Sequence, residues 1–214
     1  MKHDLFISLP WHHERDTSPL ENDDKFPESL ARYFLQKYTQ KGSKVFDPFA
    51  GLGTTLFTAE ETGRIPYGIE ADRQRYEWVA GQLTHWQNLK YGDSAKIPDF
   101  NFPKMDFCLT SPPYMPRHHK WNPLFAGDPS KAGYDVYLKR MSFIFSKLQK
   151  IMKRNSYVIV QADNLVHGKI HTPLVFDFAQ QISKSFTLET EIIVTWENPK
   201  PDYSHTHCLV FKNT

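Results

Sequence analysis

Val45-Phe46-Asp47-Pro48-Phe49-Ala50-Gly51-Leu52-Gly53-Thr54-Thr55 is the stretch on which the reading of this chain turns. An apolar, strand-like run ends in an acid and a proline, and two glycines spaced by one residue lead into a segment able to start a helix. Glycines let a backbone approach a ligand closely and adopt dihedrals that a Cβ forbids. Thr54 or Thr55 is expected to cap the following helix, whose positive end then faces the ligand. Taken alone, the motif reads first as an ordinary strand-to-helix turn of an α/β protein. The segments on either side separate the two readings.

Upstream, Pro27 opens a helical segment with Leu30, Phe34, Leu35 and Tyr38 on one face, closed by Lys41-Gly42. Residues 1–26 read as a polar, irregular N-terminal arm laid over the domain, with Trp11, His12 and His13 followed by Glu21, Asp23 and Asp24. Downstream, a helix runs from the glycine loop to Glu61, and Ile65–Glu70 reads as a second strand ending on an acid. Tyr76, Val79, Ala80, Leu83 and Trp86 then recur at helical spacing. Asn88–Tyr91 is a third strand ending at Gly92-Asp93-Ser94, and Met105–Thr110 a fourth, running into Ser111-Pro112-Pro113-Tyr114. Met115–Gly133 is long and irregular, and such loops in compact domains tend to carry function. Tyr134–Met152 is an amphipathic helix, Tyr157–Gln161 a fifth strand, and Pro173 starts a helix bearing Leu174, Phe178 and Ile182. The alternation of strand and helix predicts an α/β fold built on a doubly wound parallel sheet. Alternation at Leu188, Ile192, Val194 and Trp196, and again at His207, Leu209 and Phe211, predicts a C-terminal antiparallel hairpin at the sheet edge.

With 214 residues the chain suits one domain, residues 27–214, with a short recognition loop at 115–133. The formal net charge of +2 and pI of about 8.4 permit a nucleic-acid partner without demanding one. Cys108 and Cys208 sit in apolar runs as buried thiols, with no zinc spacing. The adjacent pairs His12-His13 and His118-His119, with His205 and His207, do not converge on one ion, so no metal is expected. Neither a signal peptide nor a membrane span is visible, and the expectation is a cytoplasmic protein with no membrane partner.

Asp47, Glu70 and Asp93 each follow a strand, and in an open parallel sheet the carboxyl ends of neighbouring strands share one crevice. An acid about twenty residues past the glycines suits a ribose diol, because a carboxylate accepts both hydroxyl protons. That much fits any nucleoside-bearing cofactor, a nicotinamide dinucleotide included. Ser111-Pro112-Pro113-Tyr114 narrows the choice. Consecutive prolines remove two donors and fix the backbone, leaving carbonyl oxygens to project. The Ser111 hydroxyl and Pro112 carbonyl then suit an exocyclic amine, and Tyr114 offers a ring for a planar base drawn out of its stack.

These residues resemble the S-adenosylmethionine-dependent amino methyltransferases of DNA bases, from Lys25 onward. Asp47 to Thr55 is similar to their cofactor motif, Thr110 to Tyr114 to their catalytic motif, and Lys25-Phe26-Pro27-Glu28-Ser29-Leu30 to the segment that precedes the cofactor strand and helps enclose methionine. The resemblance implies a Rossmann-like class I methyltransferase with a seven-stranded sheet and one antiparallel strand. It implies S-adenosylmethionine held by Phe26, Pro27, Asp47, Pro48, Phe49, Ala50, Gly51, Gly53, Thr54, Thr55, Glu70, Asp93 and Ser94, with Glu70 on the ribose and Asp93 on the adenine amine. Ser111, Pro112, Pro113 and Tyr114 would be catalytic. Serine at the head of that tetrapeptide is the usual N4-cytosine form, against N6-adenine, and the transfer would be direct. Cytosine C5 chemistry needs a cysteine nucleophile beside a proline, whereas Cys108 precedes a leucine. The recognition region is short for a sequence-specific member, so DNA, RNA and a partner-presented target remain open, as do a specificity subunit, a homodimer, an accompanying restriction nuclease and an inactive cofactor-binding subunit. Arg117, His118, His119, Lys120 and Trp121 are the candidate nucleic-acid contacts, with Lys131, Lys139 and Arg140 as further phosphate candidates. Asp163-Asn164 is read either as facing the base pocket or as a strand-end cap.

Overall fold

The computed structural model describes residues 4–15, 25–200 and 203–214, with the Lys200 side chain left undescribed. The acidic residues Glu21, Asp23 and Asp24 of the arm lie outside them. The elements in chain order are β1 (Phe6–Leu9), α1 (Glu28–Tyr38), β2 (Lys44–Asp47), α2 (Thr54–Glu61), β3 (Ile65–Glu70), α3 (Arg73–Ala80), β4 (Leu89–Tyr91) and β5 (Met105–Thr110). They continue with α4 (Tyr134–Ile151), β6 (Met152–Ala162), β7 (Leu165–His167), β8 (Ile170–Thr172), α5 (Leu174–Ile182), β9 (Thr187–Lys200) and β10 (Tyr203–Lys212).

The main sheet has the order β1-β9-β10-β6-β5-β2-β3-β4. β10 runs antiparallel to both β6 and β9, while every other pairing is parallel. The architecture is the mostly parallel sheet with a C-terminal antiparallel hairpin that the sequence predicts. It carries eight strands where the resemblance implies seven. The extra one is β1, placed within the arm expected to be irregular: Phe6 to Leu9 pair with Ile193 to Trp196. Four residues with one polar member carry too weak a pattern to read as a strand alone, and the exposed edge of β9 supplies the missing partner. The hairpin is therefore internal to the sheet.

Helices cover both faces, which is why the central strands read as nearly continuous apolar runs. Val45, Phe107, Leu109, Ile159, Val194 and Val210 face α1, together with Leu30, Phe34 and Leu35. Their sequence neighbours Phe46, Cys108, Val158 and Val160 face the opposite way, packing with Tyr137, Met141 and Phe145 of α4 and Phe178 of α5. Leu56, Phe57, Val79 and Leu89 form a further cluster where α2 and α3 meet the sheet. Two elements are shorter than read from the sequence: α3 stops at Ala80 before a turn and a 3-10 segment at Trp86–Asn88, and β4 begins at Leu89.

From β2 the chain steps outward through β3 to β4 and then returns to the other side of β2 as β5. The sheet thus reverses direction between β2 and β5, and the crevice outside the carboxyl ends of those two strands is where an open α/β sheet receives a ligand.

Candidate active site

The loops that leave β2 and β5 at this reversal are the glycine loop and Ser111-Pro112-Pro113-Tyr114. Thr110, the last residue of β5, donates its hydroxyl to Asp47 Oδ1 at 2.6 Å, joining the two loops at their roots. Asp47 is buried and also accepts from the Phe49 amide at 3.0 Å. Burial pushes its carboxyl up to about 6, against these hydrogen bonds, and the neighbouring Glu70 charge adds to the rise.

Gly51 and Gly53 both have positive φ, at 53° and 78°, so the loop turns where side chains are strained. At Gly53 a Cβ would also sit 2.8 Å from Phe57 and 2.9 Å from Val79, so the glycine is needed for packing of α2 and α3 under the loop. Gly53 itself caps α2, and neither Thr54 nor Thr55 does so, contrary to expectation. Thr55 instead donates to the Leu109 carbonyl at 3.2 Å, tying α2 to β5. A buried carbonyl within reach of that hydroxyl was not visible from the spacing. The Ala50 amide bonds the Ile69 carbonyl at 2.9 Å and so aligns the loop over β3.

Glu70, at the end of β3, is buried. Its Oε2 accepts from the Gly51 amide at 2.6 Å and its Oε1 from the Asp72 amide at 2.7 Å. Burial raises its carboxyl despite both donors. Each oxygen retains a lone pair, so the acid is held rigid with acceptor capacity left for a diol. Asp93, after β4, accepts from the Ala95 amide at 2.8 Å and pairs with Arg140 of α4. Arg140 also lies over the Phe125 ring at 4.8 Å. Its guanidinium is thus engaged by Asp93 and by the Phe125 ring. Ser94 is buried and donates to the Pro48 carbonyl, linking the loops after β2 and β4. Phe26 is buried under α1, and Pro27 precedes the first turn of that helix.

In the tetrapeptide, Pro112 is buried and Ser111, Pro113 and Tyr114 are half-buried. Tyr137 donates to the Pro113 carbonyl at 2.9 Å, so that carbonyl has a partner from α4, distant in the chain. The Tyr114 hydroxyl donates to Gln161 Oε1 at 3.1 Å, and burial pushes the phenol well above its ordinary range. Gln161 in turn donates to Thr206 at 2.6 Å and to Asp163 at 3.1 Å, while Tyr203 donates to the same Asp163 oxygen at 2.9 Å. This polar network across β6 and β10 fixes the Tyr114 ring from behind. Asp163 belongs to it, and Asn164 accepts from the Val175 amide at the start of α5, at 3.1 Å.

Beyond Tyr114 the loop is pinned at Arg117, whose amide donates to Thr172 at 2.9 Å and whose guanidinium reaches Asp177 at 3.1 Å. His118, His119, Lys120 and Trp121 are exposed, as are Lys131 and Lys139. The loop contains 3-10 turns at Pro123–Phe125 and Pro129–Lys131. The sequence reading missed the ribbon of β7 and β8, which pair antiparallel across Gly168-Lys169 and place His167 in a stack with His118, centroids 4.6 Å apart. A Gly-Lys turn between Leu165-Val166-His167 and Ile170-His171-Thr172 was the available signal. Among the described residues no group of His, Cys, Asp or Glu could hold a metal ion, and no helix is long and apolar enough to cross a membrane.

Residues 4–81 match the profile of a family described as DNA methylase. That match takes in β1, the glycine loop and Glu70, and over those residues the chain carries that family's pattern. TrmN from Thermus thermophilus superposes with a TM-score of 0.63 at 16% identity, covering 87% of this chain and 49% of TrmN. Precorrin-6y C5,15-methyltransferase from Geobacter metallireducens gives 0.57 at 10% identity, covering 87% of each chain. An rRNA methylase from Streptococcus thermophilus gives 0.55 at 10% identity, covering 90% of this chain and all of its own. The fold is that of the class I S-adenosylmethionine-dependent methyltransferases. The chain spans about half the length of TrmN. No curated protein matches the sequence.

Proposed function

We propose that this protein transfers a methyl group from S-adenosylmethionine to the exocyclic amine of a nucleic-acid base, with N4 of cytosine in DNA as the favoured target. The observation that carries the reading is the Thr110–Asp47 hydrogen bond, which seats the Ser-Pro-Pro-Tyr segment against the glycine loop at the reversal of the sheet. The match to a DNA methylase profile over residues 4–81 supports it.

The crevice fits the cofactor. Glu70, fixed by two amides, suits the ribose hydroxyls, and Gly51, where a side chain would start 3.9 Å from the Phe49 carbonyl oxygen, leaves the loop backbone approachable. Asp93 would meet the adenine amine, and Phe26 and Pro27 would flank the methionine end. Bound there, S-adenosylmethionine supplies an electrophilic methyl group. The protein's task is to position the nitrogen and hold its protons. The Ser111 hydroxyl and the Pro112 carbonyl accept from the amine, which draws electron density onto the nitrogen, and the Tyr114 ring, fixed through Gln161, stacks on the base. Serine at position 111 supports cytosine over adenine.

The test is incubation with isotopically labelled S-adenosylmethionine and separate pools of duplex DNA, single-stranded DNA and RNA, followed by digestion to nucleosides and mass spectrometry. Labelled N4-methylcytosine from DNA is expected. Tyr114→Ala and Pro112→Ala should abolish the label while S-adenosylhomocysteine still binds. Methylation that survives both substitutions would remove the tetrapeptide from the mechanism.

A further inference from the structure

The β7–β8 ribbon has no role in holding the cofactor and buries little of itself. Val166 is 64% and Ile170 44% exposed, and His167, Gly168, Lys169 and His171 are exposed with them. A two-stranded ribbon standing out from a sheet is marginal unless something anchors it. Besides Leu165, which packs on the core, the anchoring comes from the loop after Tyr114. Thr172 accepts from the Arg117 amide, three residues beyond Tyr114, and His167 stacks on His118 of the same loop. The ribbon also follows directly on β6, the strand beside β5, so it rises from the same carboxyl edge as the tetrapeptide.

The charge of the combined surface is one-sided. Residues 114–127 and 164–172 contain no Asp or Glu, yet they hold Arg117, Lys120, Lys169 and four of the chain's ten histidines, His118, His119, His167 and His171. Asp163, turned inward to Tyr203 and Gln161, Asp128, which accepts from the Ser130 amide, and Asp177, which pairs with Arg117, are the acids nearest in sequence to this surface. Lys120 and Lys169 beside exposed aliphatic side chains suit a polyanion with an apolar interior, which describes a nucleic-acid duplex.

We infer that the β7–β8 ribbon is a duplex-DNA finger, in which Ile170, on the same face as His167, enters the base stack beside the extruded target, with Val166 on the opposite face of the ribbon, while Lys169 and Lys120 hold the flanking phosphates. The inference rests on the proposed base methylation. A base reaches the half-buried Ser111–Tyr114 segment only by leaving its stack. The gap it leaves in a duplex is apolar and flat, and aliphatic wedges fill such gaps in proteins that unstack DNA. A single strand leaves no such gap, so it has no use for the wedge. The two substrates therefore separate the aliphatic contribution from the charge.

The full chain, bound to S-adenosylhomocysteine, would be titrated with a fluorescent mixed-sequence DNA duplex and with one of its single strands. The same would be done with Ile170→Ser and with Lys169→Ala, after thermal unfolding has shown that each variant folds. Ile170→Ser should weaken duplex binding by about ten-fold and single-strand binding by less than about two-fold. Lys169→Ala should weaken both and lower the salt dependence by about one phosphate contact. Methylation of duplex DNA should fall with duplex affinity in Ile170→Ser. Duplex affinity and duplex methylation unchanged in both variants, with the wild-type protein labelling DNA, would overturn the finger and leave base methylation standing. Label confined to RNA would overturn the finger and the DNA target, and none in any nucleic acid would overturn the finger and base methylation together.

Discussion

The carboxylate of Asp47 gives a quantitative test of how the crevice is built. It is 2% exposed, and burial raises it from 3.8 to about 6 even though Thr110 and the Phe49 amide donate to it. The folded carboxyl binds its proton more tightly than the unfolded one. Its favourable contribution is therefore complete below about 3.8 and is lost as pH rises through about 6. The gap between those values corresponds to about 3 kcal/mol in total, of which about 1.4 kcal/mol is lost between about pH 5 and 7.5. Asp47→Asn keeps an acceptor for Thr110 but has no proton to lose. Urea unfolding of both proteins across that window should show wild-type stability falling relative to Asp47→Asn by about 1.4 kcal/mol as pH rises. A difference that stays constant, or that moves in the wild type's favour, would refute the claim that this acid is dry and strained in its charged form. The loss matters for function because the same acid anchors Thr110, so the link between the two loops is tightest when Asp47 is ionised and its burial is least favourable.

Glu28, at the start of α1, provides the opposite case. Burial alone would raise its carboxyl, but the His13 imidazole, the Glu14 amide and Lys25 outweigh it and hold it at about 2. Its contribution is present above 4.5 and lost as pH falls through about 2. Glu28→Gln should accordingly cost about 2 kcal/mol at neutral pH, with the difference closing in acid, as read by chemical denaturation. In the target loop, Gly127 has a φ of 77°, and a Cβ there would come within 2.0 Å of the Trp121 indole nitrogen. Gly127→Ala should displace Trp121, changing its fluorescence and lowering nucleic-acid affinity while leaving S-adenosylhomocysteine binding intact.

The sequence by itself determined the strand and helix alternation, the glycine loop at residues 45–55 and the Ser-Pro-Pro-Tyr segment after Thr110. Each of these is written in local chemistry: side-chain periodicity, glycine permissiveness and proline's missing donor. Acids spaced one per strand end were legible for the same reason. Only the tertiary structure decided the contacts between segments far apart in the chain. Thr110 meets Asp47 across 63 residues, Thr55 serves Leu109 instead of capping its own helix, and Arg140 of α4 pairs with Asp93 after β4. β1 and the β7–β8 ribbon fall in the same category. Their runs are too short to form alone, and each exists because a neighbour supplies hydrogen bonds: the open edge of β9 for the first, the Arg117 loop for the second. Short strands and long-range polar pairs draw their stability from the folded surroundings, so their information is not stored in the residues that form them.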